Sequence, residues 1–104
     1  MATQKFILNL KQKAKELRKG IITMIYNAKS GHPGGSLSAI DMLVGLYYYK
    51  LRIDPKNPLW NSRDRFVLSK GHCSPAIYAV LADKGFFPKS ELDGYRKINR
   101  MLQG

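Results

Sequence analysis

The sequence predicts an α/β protein that is mostly helical, with four helices and one buried strand. Apolar residues recur at steps of three and four over much of the chain, which is the period of a helix with one buried face. A short apolar run, residues 66–69 (FVLS), is bounded by charged residues and Gly71 and is typical of a buried strand. Four helices and one strand cannot by themselves cover a parallel sheet, so we expect some apolar surface to face further structure or a partner chain.

The first predicted helix runs from Leu10 to near Lys29. Lysines and arginines in its first half fall mostly off the apolar stripe, so they form either a solvated basic face or an anion-binding face. Gly20 weakens the helix interior by roughly 1 kcal/mol relative to alanine, or marks a close packing contact. The apolar stripe consists of Leu10, Ala14, Leu17, Ile21, Met24 and Ala28.

The second predicted helix follows directly and extends to Leu51. Ser36 or Ser38 can cap it, and Asp41 stands three residues after Ser38, where a carboxylate can reach free amides at the helix start. The helix is apolar nearly all round, which predicts burial among neighbours or at a subunit interface. Its three consecutive tyrosines, 47–49, point in different directions, so we expect core or interface packing and no flat platform for base stacking.

Two further helices are predicted after a turn-rich connector, residues 54–58 (DPKNP). Pro75 suits the first turn of the third helix, and Gly85 ends it. Ser90 and Asp93 resemble a capping box for a fourth helix that runs to about Arg100. The residues expected to face inward from this last helix are Leu92, Tyr95, Ile98 and Met101.

Composition restricts the class of protein. The 104 residues form one domain at most, and 18 Lys and Arg against 7 Asp and Glu give a net charge of +11, which favours phosphates, nucleic acids or acidic surfaces as partners. The single cysteine, Cys73, excludes an intramolecular disulfide and suits a reducing compartment. No stretch approaches the roughly 20 apolar residues that span a bilayer. We therefore expect a soluble, cytoplasmic protein.

Two glycine-containing loops hold the only two histidines, His32 and His72. They are residues 30–36 (SGHPGGS) and 69–74 (SKGHCS), and each leads into a predicted helix. The second also follows the predicted strand, which is the strand-loop-helix context in which α/β proteins bind phosphorylated ligands. Gly71 lets a ligand approach the backbone, and an imidazole can position that ligand or move a proton near neutral pH. From the residues alone, each histidine either serves such a site or is structural.

Other chemistries have weaker support in the sequence. Two histidines with Cys73 as the only further N or S ligand make a poor zinc set, because His72 and Cys73 are adjacent and His32 lies forty residues away. Adjacency to His72 does not activate Cys73 as a nucleophile. The chain contains neither the phosphate-binding GxxxxGK[ST] pattern nor the dinucleotide-binding GxGxxG pattern.

Two segments together resemble the N-terminal part of transketolases, especially the form split into two subunits. They are residues 30–51, SGHPGGSLSAIDMLVGLYYYKL, and residues 54–87, DPKNPLWNSRDRFVLSKGHCSPAIYAVLADKGFF. The two motifs, SGHPG and DRFVLSKGH, stand in the family's order and at a suitable separation. The resemblance extends from about Leu10 to Gly104. It implies a three-layer α/β thiamine-diphosphate-binding domain, of which this chain contributes the N-terminal part.

The resemblance also implies a chemistry. Transketolases use thiamine diphosphate and a divalent cation, usually Mg²⁺, to move a two-carbon ketol unit from a ketose phosphate to an aldose phosphate. Position by position, His72 with Gly71 beside it corresponds to the residues that contact the cofactor diphosphate and the substrate. His32 corresponds to the histidine near the reacting carbon. The implied catalytic residues are thus His32 and His72, and the implied cofactor-binding residues are His72 and Gly71.

The family's remaining site elements are not in these 104 residues. Its GDG metal motif, with an Asn some thirty residues further on, and the glutamate of its second domain are both lacking. We therefore expect residues 1–104 to be a segment of the diphosphate-binding domain without metal ligands, inactive alone. Its expected partners are sugar phosphates and a C-terminal transketolase subunit or remaining chain, in an oligomer, with no membrane and no specific nucleic acid.

Two other functions stay open from the sequence. One is a small basic nucleic-acid-binding protein, which the net charge alone allows. The other is a different thiamine-diphosphate synthase, such as the one that forms deoxyxylulose phosphate. The wording of the SGHPG and DRFVLSKGH motifs favours transketolase.

Overall fold

A computed structural model describes residues 4–29, 33–69 and 73–103. These residues contain helices α1 (Gln4–Ala28), α2 (Pro33–Gly45) and α3 (Ser74–Lys84). A π-helical turn, Leu46–Lys50, continues α2, and a 3₁₀ helix, Lys89–Gly94, follows α3. None of the helices within the described ranges is long and apolar enough to cross a membrane.

Helix α1 has the buried stripe that its sequence predicts. Ala14, Leu17, Ile21 and Met24 are all buried, and they pack with α2 and α3 in one core. The helix begins at Gln4, six residues before the predicted start, and Phe6 packs on the ring of Tyr49 with centroids 5.3 Å apart. A Cβ added at Gly20 would meet no atom within 4 Å, so this glycine does not mark a close packing contact.

Helix α2 starts earlier than the capping pattern predicts. Pro33 is its first residue, which suits proline because the first helical N–H has no partner within the helix. Ser36 and Ser38 therefore lie inside the helix, and the predicted serine cap is wrong. The hydroxyl of Ser38 donates to the carbonyl of Gly35 at 2.9 Å, and Asp41 pairs with Arg18 at 2.7 Å.

The three tyrosines that follow α2 have different surroundings. Tyr47 is buried and packs edge-on against Phe66, with ring centroids 5.8 Å apart. Tyr48 donates its hydroxyl proton to Asp83, and Tyr49 is exposed beside the N-terminal turns of α1. They form no common platform, and Tyr47 and Tyr48 pack as predicted.

The predicted strand is not formed in the described residues. Residues 63–69 have no regular secondary structure, with Phe66 and Leu68 partly buried and Val67 exposed. The Asp64 N–H donates to the carbonyl of Arg52 at 2.8 Å, but within the described residues this bond does not continue into the ladder that a strand requires. The predicted mostly helical character is confirmed, whereas the α/β class and the buried strand are not seen in these residues.

The end of α3 is as predicted, and the fourth helix is not. Gly85 stops α3 in the left-handed conformation at φ 96°, which glycine adopts without strain. Only the 3₁₀ helix forms afterwards, because Arg96 and Asn99 have positive φ angles of 58° and 61° that interrupt a right-handed helix. Tyr95 is buried as predicted, but Ile98 is 88% exposed. Leu92 is partly buried as predicted, and Met101 is 63% exposed.

Candidate functional site

Side-chain contacts fix the directions of the three helices. Arg18 of α1 pairs with Asp41 of α2, and Lys13 of α1 pairs with Asp83 of α3 at 3.1 Å. The packing of Phe6 on Tyr49 then makes α1 antiparallel to α2. One groove lined by Glu16 and Gly20 of α1 and by Asp83 and Ala79 of α3 makes α1 antiparallel to α3 as well. Helices α2 and α3 therefore run in the same direction, and their N-termini lie at the same end of the bundle.

The levels of the two N-termini along the bundle follow from a second contact. Tyr48 and Asp83 touch, so they mark one level. At a rise of 1.5 Å per residue, Ser74 lies about 14 Å from Asp83 along α3, and Ser36 lies about 18 Å from Tyr48 along α2. Ser36 and Ser74 are therefore within about one helical turn of each other along the bundle. We call this end of the molecule the N-terminal face, made of residues 33–36 and 73–76.

The N-terminal face carries positive potential. A helix N-terminus presents free amide groups and about half a positive charge, and two of them point here. Neither α2 nor α3 has an acidic residue in its first turn, and Cys73 at the start of α3 makes no capping hydrogen bond with its side chain. Helix α1 runs antiparallel to α2 and α3, so its C-terminus lies at this end and offsets about one of the two half charges, which leaves the end net positive. The face can thus bind an anion such as phosphate.

Two buried hydroxyl groups lie at this face. Ser36 is 0% exposed and Ser74 is 9% exposed, and the Oγ atom of each has no hydrogen-bond partner among the described residues. The sequence pattern indicates Ser36 only as a helix cap. No local signal could have shown its burial, because burial depends on how α2 packs against the other helices. Cys73, next to Ser74, is a buried free thiol.

The residues that the sequence predicts for the site, His32, Gly71 and His72, lie outside the described residues. In the chain, His32 directly precedes Pro33, and Gly71 and His72 directly precede Cys73. The helices that follow the two histidine segments are separated by about forty residues in sequence, yet they start together at the N-terminal face. The structure adds this juxtaposition to the sequence motifs.

The opposite end of the bundle holds a charged cluster around Asp83. Its carboxylate accepts hydrogen bonds from the hydroxyl of Tyr48 and from Lys13, and Lys89 lies 3.4 Å away. Lys84 stands over the ring of Tyr48, 4.8 Å from its centre. The carboxylate of Asp83 thus connects α3 to α1, to the π-helical turn and to the 3₁₀ helix.

The pKa shifts in this cluster agree with a structural role. Burial alone would raise the pKa of Asp83, but the hydrogen bonds from Tyr48 and Lys13 stabilise its anion and lower the pKa overall. Burial, followed by the carboxylate of Asp83, raises the pKa of Tyr48 well above its usual range. The hydrogen bond to Asp83 raises the pKa of Lys13. Each group is held in its ordinary charge state at neutral pH, so none is prepared for proton transfer.

Three surface grooves lined by described residues lie away from the N-terminal face. One of them, of about 360 Å³, lies near the other end, between residues 63–67 and the last turn of α3. Within the described ranges, no three His, Cys, Asp or Glu residues are grouped so that they could hold a metal ion. The candidate site therefore rests on helix ends and buried hydroxyls.

Two helix N-termini at one end of a bundle, each directly after a histidine segment, are suited to binding a phosphorylated ligand. Residues 10–104 match a known family, the transketolase thiamine diphosphate binding domain. Since the match covers most of the chain, the protein belongs to this family.

Curated relatives of the chain include transketolases and single subunits of transketolases. The chain is 46% identical over 95 residues to the 6-deoxy-6-sulfo-D-fructose transketolase subunit of Clostridium sp. (strain MSTE9), and the match covers 91% of this chain and 34% of the relative. It is 39% identical over 95 residues to one subunit of the apulose-4-phosphate transketolase of Phocaeicola vulgatus, with the same coverage. It is 44% identical over 98 residues to the transketolase of Mus musculus, covering 91% of this chain and 15% of that protein. The chain thus spans about a third of the length of the two bacterial subunits.

Proposed function

We propose that this chain supplies part of the thiamine-diphosphate site of a transketolase that transfers a two-carbon ketol unit from a ketose phosphate to an aldose phosphate. The single observation that carries this proposal is the N-terminal face, where two helix starts without acidic residues meet directly after the SGHPG and SKGH segments. Membership of the family supports thiamine diphosphate as the ligand. The proposed unit is residues 1–104, the N-terminal segment of a diphosphate-binding domain with a three-layer α/β architecture.

The residues present fit a diphosphate group. Two positive helix ends attract its charge, and the unpartnered hydroxyls of Ser36 and Ser74 leave donor capacity at the same face. In this proposal His72 and Gly71 hold the diphosphate, and His32 orients the sugar and moves a proton at its hydroxyl groups. Thiamine diphosphate, when bound, supplies the electron sink that stabilises the carbanion formed when the carbon-carbon bond breaks.

The metal and the partner are proposed from outside the described residues. Mg²⁺ binds oxygen ligands and phosphate groups, and we propose that its protein ligands are contributed by a second subunit or by further chain. The relatives named as subunits support such a partner. In this proposal the two form an oligomer that acts on sugar phosphates in the cytoplasm. Apolar side chains left exposed on α2 and on residues 63–69, such as Met42 and Val67, are available for that contact.

Nucleic-acid binding is not favoured by these observations. Lys13 and Arg18 of the basic helix α1 are engaged with Asp83 and Asp41. The family match accounts for the two histidine motifs, which a nucleic-acid-binding function leaves unexplained.

Separate effects on cofactor affinity and turnover test the proposed roles of the histidines. We expect His72→Asn to weaken thiamine diphosphate binding, measured by isothermal titration of the chain in the presence of Mg²⁺. We expect His32→Asn to leave that affinity largely unchanged and to lower kcat in an assembled enzyme that contains these residues, the remaining chain and a C-terminal transketolase subunit. Gln12→Ala, on the exposed side of α1, is the control and should change neither quantity.

Two results would contradict the proposal. One is robust ketol transfer by the 104-residue chain without a partner, since the proposed metal ligands lie elsewhere. The other is a His72→Asn chain that binds thiamine diphosphate as tightly as the parent.

A further inference from the structure

We propose that the buried hydroxyl groups of Ser36 and Ser74 are hydrogen-bond donors to the diphosphate group of the cofactor. The inference rests on the proposed function, because it names two further residues that hold the ligand at the N-terminal face. Ser36 and Ser74 are the last residues of the two glycine-containing loops, 30–36 and 69–74, and their role is assigned from burial, hydrogen bonding and helix direction.

The hydroxyl groups of Ser36 and Ser74 lack the hydrogen bonds that buried polar groups usually make. Ser36 is completely buried and Ser74 is 9% exposed, so water does not solvate either group freely. Neither Oγ atom has a hydrogen-bond partner within the described residues. A buried polar group without a partner destabilises the folded state, and most such groups in native proteins are satisfied. Two at one face of a small helical bundle therefore call for an explanation.

Other hydroxyls in the bundle are bonded within their own helices. Ser38 of α2 donates to the carbonyl of Gly35 at 2.9 Å, and Thr23 of α1 donates to the carbonyl of Lys19 at 2.9 Å. This bond to the preceding turn is the usual solution for serine and threonine inside a helix. Ser36, two residues from Ser38, does not use it. The exception is thus local to the first turn of α2.

The side chains of Ser36 and Ser74 also share a direction. Each Cα–Cβ bond in a helix tilts toward the N-terminus, so a first-turn side chain is aimed toward the helix start. Ser36 and Ser74 both lie in first turns, and α2 and α3 start at the same face. The Cα–Cβ bonds of both serines therefore tilt toward the region where the free amides of the two helices also point. A diphosphate, with several acceptor oxygens and no donor when ionised, is complementary to this set of donors.

Removing each hydroxyl should have two opposite effects. In the ligand-free chain, Ser36→Ala and Ser74→Ala should raise Tm by a few degrees, because an unpaired buried group is lost. With thiamine diphosphate and Mg²⁺, the same variants should show a smaller ligand-induced rise in Tm and a Kd about tenfold higher than the parent chain, as expected for one hydrogen bond to a charged group. Inorganic diphosphate should reproduce the pattern, because the proposed contact is to the diphosphate.

Two further variants separate hydrogen bonding from packing. Ser38→Ala removes a hydroxyl already bonded within the same helix, so it should not raise the Tm of the ligand-free chain and should keep the full ligand-induced rise. Ser74→Thr keeps a hydroxyl at the first position of α3 and should keep most of the affinity that Ser74→Ala loses.

The outcomes distinguish this inference from the proposed function. If the parent chain gains no stability from thiamine diphosphate or inorganic diphosphate, the proposed function fails and the inference fails with it. If the parent gains stability and both alanine variants gain as much, the proposed function stands and the role of the serines is wrong. A ligand-free Ser36→Ala chain that melts below the parent would also overturn the inference, since the hydroxyl would then be paired within the fold.

Discussion

Replacing Asp83 by Asn should lower the free energy of unfolding more than the loss of an exposed ion pair does. The carboxylate of Asp83 joins three elements, because it accepts from Tyr48 and pairs with Lys13 at 3.1 Å and with Lys89 at 3.4 Å. Asn is the same size and keeps one acceptor oxygen, so the change removes the charge without creating a cavity.

The magnitude follows from exposure. The side chain of Asp83 is 14% exposed, whereas those of Lys13 and Lys89 are 31% and 71% exposed. A hydrogen bond to a charged group stabilises by about 1.5–3 kcal/mol, and exposed ion pairs add at most about 1 kcal/mol. With one acceptor kept, we expect Asp83→Asn to lower the free energy of unfolding by about 2 kcal/mol. For a chain of this length, that corresponds to a fall in Tm of roughly 10 °C.

The assay is urea denaturation followed by circular dichroism, with Asp41→Asn as the matched control. Asp41 pairs with Arg18 at 2.7 Å, but its side chain is 70% exposed, so its loss should cost less than about 0.5 kcal/mol. Combining Asp83→Asn with Tyr48→Phe should give less than the sum of the two single effects, because both changes weaken the same hydrogen bond. Equal losses for Asp83→Asn and Asp41→Asn, or full additivity with Tyr48→Phe, would refute the reasoning.

Three further predictions concern the pH dependence, the core and the glycines. The pKa of Asp83 is lowered in the fold, so the ionised carboxylate stabilises the protein fully above pH 3.8, and this stabilisation is lost as the pH falls through the folded-state pKa. The Tm values of the parent and of Asp83→Asn should therefore converge in strong acid and differ at neutral pH. Ile21→Ala, at a position that is 0% exposed, should cost about 2–5 kcal/mol in urea denaturation, whereas Ile22→Ala, at a position 52% exposed, should cost less than about 1 kcal/mol; similar costs would place the core elsewhere. Gly85→Ala should lower Tm because φ is 96°, and Gly20→Ala should raise it because the helix has open space for the methyl group; the opposite order in thermal melts would contradict both assignments.

Features set by local chemistry could be predicted from the sequence. The buried stripe of α1 follows from helical spacing, and the stop at Gly85 follows from the conformational freedom of glycine. Features that depend on contacts with other segments could not be predicted from the sequence. The run 66–69 has the composition of a strand, but strand pairing depends on neighbours that the described residues lack. The predicted fourth helix does not form because Arg96 and Asn99 adopt positive φ angles, and the spacing of apolar residues carries no information about those angles.

Some features of the candidate site could likewise be predicted from the sequence, and others could not. The histidine motifs point to His32 and His72 by resemblance, and no geometry is needed to find them. Their assignment remains a prediction, because these residues lie outside the described part of the chain. The parallel course of α2 and α3 arises from contacts between distant residues, such as Tyr48 with Asp83 and Lys13 with Asp83. The shared N-terminal face could therefore be recognised only in three dimensions.

One measurement tests the central claim most directly, which is that the ligand binds at the N-terminal face. The isotope-labelled chain would be titrated with thiamine diphosphate and Mg²⁺, and amide chemical shifts would be followed by two-dimensional NMR. We predict saturable shifts concentrated in the amides of residues 34–36, 73, 74 and 76, with little change in residues 46–50 and 81–85 at the opposite end of the bundle. Shifts concentrated at that opposite end, or the absence of saturable binding, would contradict the account.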